Sequence, residues 1–348
     1  MIPEHRPTRT PAPIALALAR VYRIEIGRRN RAYDRGRGVE RLDRPVISVG
    51  NLSTGGTGKT PLVQHIARTL IARDHCPVIA MRGYGARGGA PSDEALEHAD
   101  ALPGTPIVAR PDRAAGLRAL FSHDRGAAVD CVILDDGFQH RKIARDLDIV
   151  VIDATRPPAR DALLPLGHLR EPVDSLARAD HIVLTHTERL GRDDARQLCD
   201  TLRAAHGIPV TPAAHAWDGI DLFRGDENPG ERVAAPWLNG REVALVCGIG
   251  NPRAFVAMVE GAGAEIAARR ILADHRAIDP DDIRGMLGSM GGSGERVVVM
   301  TRKDRARLAA RGGGPEALGA RAVIAVPRLS IRFPEGSEEL DGACAGVF

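Results

Sequence analysis

Gly55-Gly56-Thr57-Gly58-Lys59-Thr60, with Ser53 and Thr54 ahead of it, carries more chemistry in its spacing than any other stretch of this chain. Glycines let backbone N–H groups curl around phosphate oxygens, a lysine reaches the β/γ-phosphates, and a Thr hydroxyl is a ligand for Mg²⁺. An apolar run at 46–49 precedes the loop. A helical pattern follows, with Leu62, Val63, Ile66, Ala67, Leu70 and Ile71 on one face. Strand, glycine loop, Lys-Thr and helix together make a P-loop, so residues 53–60 are expected to hold nucleotide phosphates. The usual first glycine is replaced by Ser53, which marks a variant loop.

A second run, 132–136, ends an apolar strand pattern in Asp135 and Asp136, followed by Gly137-Phe138-Gln139-His140. A buried strand that delivers carboxylates at its C-terminal tip is how P-loop enzymes hold Mg²⁺. With Thr60, these two acids are the expected metal residues, and strand geometry would point them in different directions. Asp93 follows the Arg82-Gly83-Tyr84-Gly85 turn. A carboxylate near a γ-phosphate can take the proton of an attacking hydroxyl. Spacing alone equally allows a solvated loop acid or a cap for a helix at 94–99. Arg113 and Arg170 sit at apparent strand and loop edges, where guanidinium forks suit phosphate or surface salt bridges. Asp274-His275 lies in a later loop, and nothing in the spacing alone marks it out.

The elements that must place these residues alternate. Strand patterns at 45–50, 77–81, 106–109, 129–135, 148–153 and 181–185 are separated by helical patterns at 60–73, 111–122 and 192–206. That alternation predicts an α/β fold: a P-loop parallel sheet with helices on both faces. Residues 210–240 hold both tryptophans and several Pro and Gly, and read as a linker. A second, smaller α/β domain follows at 241–348, with strands at 242–248, 296–301 and 321–326 and helices at 252–260, 280–290 and 303–311. The P-loop domain spans 45–209.

Residues 1–44 form a basic N-terminal segment, with eleven arginines against five carboxylates in a chain whose net charge is only +3. The short apolar run at 13–19 cannot span a bilayer. It suits either a basic amphipathic helix on an anionic membrane face or a solvated first helix. Aromatic content of 3% argues against base stacking, and no nucleic-acid partner is expected. The five cysteines are scattered without a CxxC pair and read as buried reduced thiols.

Taken together, the motifs resemble the tetraacyldisaccharide 4′-kinases of lipid A biosynthesis. The likeness runs through the P-loop, Arg82-Gly83-Tyr84-Gly85, Asp93-Glu94, Asp112-Arg113 and Asp135-Asp136-Gly137-Phe138-Gln139-His140. It continues through Leu163-Leu164-Pro165, Leu169-Arg170-Glu171-Pro172, Gly248-Ile249-Gly250-Asn251-Pro252, Asp274-His275, and Thr301 with Lys303-Asp304. The resemblance implies transfer from ATP–Mg²⁺ to the 4′-hydroxyl of a tetraacylated diglucosamine 1-phosphate at the inner leaflet of the cytoplasmic membrane. It implies two α/β domains joined by a short β linker, with ATP in the cleft between them, a peripheral or monotopic enzyme, and a monomer. It makes Asp93 the base with His275 as its partner, beside Lys59. It places Arg113, Gln139, His140, Arg170 and Glu171 around the reacting hydroxyl and lipid headgroup. The family's usual second His is Arg276 here, its usual Glu is Arg302, and its usual Pro is His168. A membrane-associated positioning ATPase is the alternative, but its loop carries a lysine where this chain has Thr54. A GTPase metallochaperone finds no His/Cys cluster in the sequence.

Overall fold

Apolar β-branched runs bounded by turn residues form parallel strands when both faces are covered, and seven of them set the frame here. The computed structural model describes residues 10–83, 92–225, 230–249, 252–273, 278–291 and 294–348, with only the backbone at Asp93. In chain order come α1 (Ala12–Asp34), β1 (Val46–Asn51), α2 (Lys59–Ile71), β2 (Pro77–Met81), α3 (Asp93–Ala101) and β3 (Ile107–Ala109). Then follow α4 (Arg113–Phe121), the one-turn α5 (Asp124–Ala127), β4 (Cys131–Asp135), β5 (Leu147–Asp153), β6 (His181–Thr185), α6 (Arg192–His206) and β7 (Val210–Pro212). The strands join in the order β3-β2-β4-β1-β5-β6-β7. All six pairings are parallel.

Strand β1 is buried along its whole length, flanked by β4 and β5. The chain runs from β1 outward to β3, returns to β4, and then proceeds to the other edge through β5, β6 and β7. The order therefore reverses around β1, and the crevice at the carboxyl ends of strands on either side of such a reversal is where α/β sheets take ligands. Both the P-loop and the Asp135-Asp136 turn leave the sheet there. Helix α2 buries Leu62, Val63, Ile66, Ala67 and Leu70 against the sheet, whereas Ile71, expected on the same face, is exposed.

The second unit spans Ala216–Ser330, and the first comprises the rest, including 331–348. Its elements are β8 (Ala214–Phe223), β9 (Glu231–Val233), β10 (Glu242–Cys247), α7 (Pro252–Gly261), β11 (Glu265–Ile271), α8 (Pro280–Ser289), β12 (Arg296–Met300), α9 (Arg302–Ala309), α10 (Pro315–Leu318) and β13 (Ala322–Arg332). They form a mixed six-stranded sheet, β11-β10-β12-β13-β8-β9, in which β8 and β9 pair antiparallel.

Three expectations change. Residues 210–240 are not a free linker: β7 completes the first sheet, β8 and β9 build one edge of the second, and Trp217 is buried in the second core. Pro212 closes β7 and Gly219 lies inside the ten-residue β8, so these residues belong to strands instead of loosening the chain. The last segment, assigned from sequence to the smaller domain, returns to the first unit as α11 (Glu338–Ala345), because Leu340 and Cys344, one turn apart, pack with Leu62, Ile66 and Leu70 of α2. Four cysteines are buried as expected, but Cys76 is exposed. Strand β11 went unread; it is a sheet edge bearing Arg269 and Arg270, and such charges protect an edge from unwanted pairing.

Gly50, the fifth residue of β1, touches the turn after β4 so closely that a Cβ there would lie 2.5 Å from both Cβ and N of Phe138. We expect Gly50→Ala to cost roughly 1–3 kcal/mol through overpacking. Phe138 would shift, and Asp136 and Gln139 with it. Urea denaturation measures the first effect; a loss of turnover beyond the folded fraction measures the second.

Candidate active site

The P-loop is braced before any ligand arrives. Asn51, the last residue of β1, donates its side-chain amide to Ser53 O (2.8 Å) and to Thr57 Oγ1 (2.9 Å). Thr185 at the end of β6 donates its hydroxyl to Thr57 O (2.8 Å). Thr54 N donates to His168 O (2.8 Å), and Ser53 bridges to Leu169, so the 163–172 loop lies along the P-loop. Gly58 takes a left-handed conformation (φ 84°) to start α2, and no side chain caps that helix. The first turn holds no acid either. Its amide donors and positive dipole end are therefore directed at whatever anion enters the loop.

Lys59 extends from this turn to Asp136, with Nζ 3.4 Å from Oδ1. Arg170 reaches the same carboxylate with Nη1 at 3.0 and 2.8 Å from its two oxygens. Arg113, buried at the start of α4, donates to Asp136 O (3.1 Å). Gln139 donates to Asn51 O (2.9 Å) and accepts from Arg170 (3.4 Å). Five expected site residues thus converge at one place. Burial alone would raise the Asp136 carboxyl; Lys59 and Arg170, with Arg113 behind them, overcome it and hold it down at about 2. The neighbouring His140 is pushed down to about 4 by burial and by Arg113, Arg145 and Lys142, so it is a neutral imidazole at neutral pH.

The two adjacent acids do diverge, by a route that strand alternation does not foresee. Asp135 still belongs to β4. Asp136 leaves the strand in a left-handed conformation (φ 52°), which costs an L-residue roughly 1–2 kcal/mol. Asp135 pairs with His98 of α3, Nε2 to Oδ2 at 2.9 Å, in a side-chain contact closed to solvent on the His side. His98 was not picked out from sequence; it sits mid-helix, and only packing shows that it ties α3 to the tip of β4. Asp93 opens that same helix, with Ser92 as its cap. The Asp93 side chain and His275 lie outside the described residues. Thr60, Asp135 and Asp136 offer hard oxygen donors, the kind that Mg²⁺ takes, and the depressed Asp136 carboxyl keeps its oxygens unprotonated, so the residues present fit that ion.

Glu171 departs from expectation. It is fully buried and lines no open site. Its Oε2 accepts from Asn30 Nδ2 of α1 (2.7 Å) and from Arg178 Nη2 (3.1 Å). Tyr22 of α1 donates its hydroxyl to Arg170 O (3.0 Å). Glu171 is the point where α1 docks on the loop that carries Arg170. The helix itself is turned inside out for a globular element: Ala15 and Ala19 pack inward on Leu166, while Ile14, Leu16, Leu18, Val21 and Ile24 are exposed, the last at 69%.

Known proteins share much of this sequence and fold. A sequence model of the LpxK family, tetraacyldisaccharide-1-P 4′-kinase, matches residues 12–341. A tetraacyldisaccharide 4′-kinase of Anaeromyxobacter dehalogenans (strain 2CP-C) is 35% identical over 96% of this chain and 90% of its own. One from Chlorobaculum parvum is 35% identical over 93% of this chain and 91% of its own. The crystal structure of LpxK from Aquifex aeolicus, described as an "apo" form in complex with ATP, superposes with a TM-score of 0.71 at 27% identity, covering 96% of this chain and 98% of that one.

Removing the Glu171 carboxylate leaves Arg178 without its buried partner. Glu171→Ala is expected to destabilise the fold by about 3 kcal/mol and to loosen α1. Thermal unfolding reads the first effect and faster proteolysis within residues 12–34 the second; an unchanged α1 would mean the helix is held without it.

Proposed function

The chain belongs to the tetraacyldisaccharide 4′-kinase family of lipid A biosynthesis, and from that premise we propose how its residues divide the transfer of a phosphoryl group to the 4′-hydroxyl. The observation that carries the reading is the knot of Lys59, Asp136 and Arg170 beside an uncapped helix start. Two cations already stand where negative charge must be met, held by one carboxylate. When the phosphates of ATP settle on residues 53–60, Lys59 exchanges Asp136 for the β/γ-phosphate oxygens. Arg170 and Arg113 stay near to spread charge over the group in flight. Such transfer depends on positioning and charge neutralisation more than on covalent chemistry. Thr60, Asp135 and Asp136 would hold Mg²⁺, which supplies further neutralisation of the phosphates when bound.

Asp93 takes the proton from the 4′-hydroxyl as its oxygen bonds to the γ-phosphorus. The bridging β–γ P–O bond breaks, and ADP leaves with the electron pair. The family resemblance supports this role and adds His275 as its functional partner. Gln139 and the neutral His140 offer hydrogen bonds to the sugar without adding charge. The reading as a positioning ATPase gives way to the family membership.

Among the described residues no helix is long and apolar enough to cross a membrane. We read α1 as lying on a membrane surface. Five large aliphatic side chains face outward beside Arg20, Arg23, Arg28 and Arg31, all exposed. An apolar stripe of that size next to clustered arginines suits the boundary of an anionic leaflet. This would bring the site to its lipid at the inner leaflet of the cytoplasmic membrane, with one chain as the working unit.

Three measurements test the proposal. With radiolabelled ATP and tetraacyldisaccharide 1-phosphate on thin-layer plates, Lys59→Ala should lose on the order of 10²-fold or more in turnover. Near wild-type turnover would remove the P-loop lysine from the mechanism. Asp93→Ala should lower kcat by roughly 10²–10⁴-fold with ATP affinity retained, and adding His275→Ala should cost little more, since groups acting as a unit are non-additive. An Asp93 variant that keeps kcat and loses only ATP binding would make it a nucleotide residue instead. Val21→Glu with Ile24→Glu should release the protein from anionic vesicles and raise KM there, while kcat on detergent-dispersed lipid stays near wild type. Undiminished co-sedimentation would move the membrane contact off this face.

A further inference from the structure

We propose that His186, Glu188 and His215 form a binding site for one divalent transition-metal ion of the zinc class, set against the wall of the P-loop. Sequence shows only His186-Thr187-Glu188 and a histidine 29 residues away. The sheet brings them together. His186 and Glu188 follow the end of β6, and His215 is the second residue of β8. The two segments are locked side by side: Ala213 N donates to Leu184 O (2.8 Å), and Thr187 Oγ1 donates to Ala213 O (2.9 Å).

The donor atoms converge. His186 Nδ1 and His215 Nδ1 are 2.9 Å apart, and Glu188 Oε1 is 3.4 Å from the first and 3.9 Å from the second. A tetrahedral ion with bonds of about 2.0–2.1 Å sets its ligand atoms roughly 3.3–3.4 Å apart. The three distances straddle that value. Small ring rotations would equalise them.

Both imidazoles are buried, and neither Nε2 has a hydrogen-bond partner among the described protein atoms. With hydrogens on both Nε2 atoms, two Nδ1 lone pairs face each other at 2.9 Å beside a carboxylate. Either a proton or a metal ion must lie between them. The surroundings are those of a metal site. Asp153 Oδ2 lies 3.8 Å from His186 Nε2, and Asp153 is itself fixed by Thr155 N (2.9 Å) and Oγ1 (2.6 Å). Glu188 Oε2 accepts from His215 N (3.0 Å). A hydrogen bond on the ligating carboxylate is a usual outer partner of a bound ion, and Asp153, 3.8 Å from His186 Nε2 and so beyond hydrogen-bond reach, is the carboxylate that a small ring rotation would bring behind that ring.

Two imidazoles and one carboxylate select Zn²⁺, Co²⁺ or Ni²⁺ over Mg²⁺, which keeps this site chemically apart from Thr60, Asp135 and Asp136. Three protein ligands leave a fourth position for water. The site also touches the nucleotide machinery. A Cβ on Gly58 would fall 2.4 Å from His215 Nε2, and Thr185, the residue before His186, holds Thr57 O.

The test is a Co²⁺ titration of the nucleotide-free full-length protein in excess Mg²⁺, read by visible ligand-field absorption, with Zn²⁺ competition. One ion per chain is expected, displaced by Zn²⁺. Glu188→Gln and His215→Gln should abolish the band, Asp153→Asn should weaken binding about 10- to 100-fold, and Asp136→Asn should leave it unchanged. Should the buried His215→Gln variant fail to fold, the partly exposed Glu188 carries the same test. No saturable band, meaning that the histidines share only a proton, would overturn the proposal. So would a band that survives Glu188→Gln or disappears with Asp136→Asn.

Discussion

A lysine at the mouth of a phosphate-binding loop must have an anion near it, and in this chain Asp136 is that anion. The contact is not a simple pair. Lys59 comes from the first turn of α2, Arg170 from the 163–172 loop, and Asp136 from the turn after β4. One carboxylate therefore fixes three segments that are far apart in sequence. Its worth lies in position: in the proposed mechanism the cations are held where phosphate charge arrives, and the anion that holds them is displaced by a more highly charged one.

The same turn explains the backbone demands around it. Asp136 adopts a left-handed conformation that a β-branched residue would resist, and Gly50 has no side chain because Phe138 crosses its Cα. His98 then anchors Asp135, so the helix that opens with Asp93 is tied to the strand that ends at the site. Packing constraints here serve placement. Each removes a degree of freedom from a group that the proposed transfer brings to a phosphate or a hydroxyl.

Helix α1 follows a different logic. Buried Glu171 holds Asn30, and Arg170, one residue earlier, accepts the Tyr22 hydroxyl on its backbone carbonyl. The helix that exposes Val21 and Ile24 is thus bonded to the loop that positions Arg170. The proposed attachment to a surface and the assembly of the charge knot share one loop, which suits an enzyme whose substrate is a lipid.

The sequence alone determined what local pattern and chemical type can determine. The continuous apolar runs and the 3.6-residue helical pattern outlined the parallel α/β frame, because strands buried on both faces and helices buried on one must be written that way. The loop at 53–60 was legible because phosphate binding by backbone amides needs glycines at fixed spacing. Lys59 and Asp136 stood out as candidates from their motifs and Arg170 from the family resemblance, but not that they meet in one knot, since β4 and the 163–172 loop converge only through sheet order. Glu171 was misplaced because a charged residue in a loop reads as exposed until its partners on α1 and at Arg178 are seen. The 210–240 stretch misled because Pro212 and Gly219 lie within strands there. His98, and the cluster of His186, Glu188 and His215, left no local signal at all. Their partners lie 37, 29 and 27 residues away, and contacts at that range are decided by which strands become neighbours, which only the tertiary structure settles.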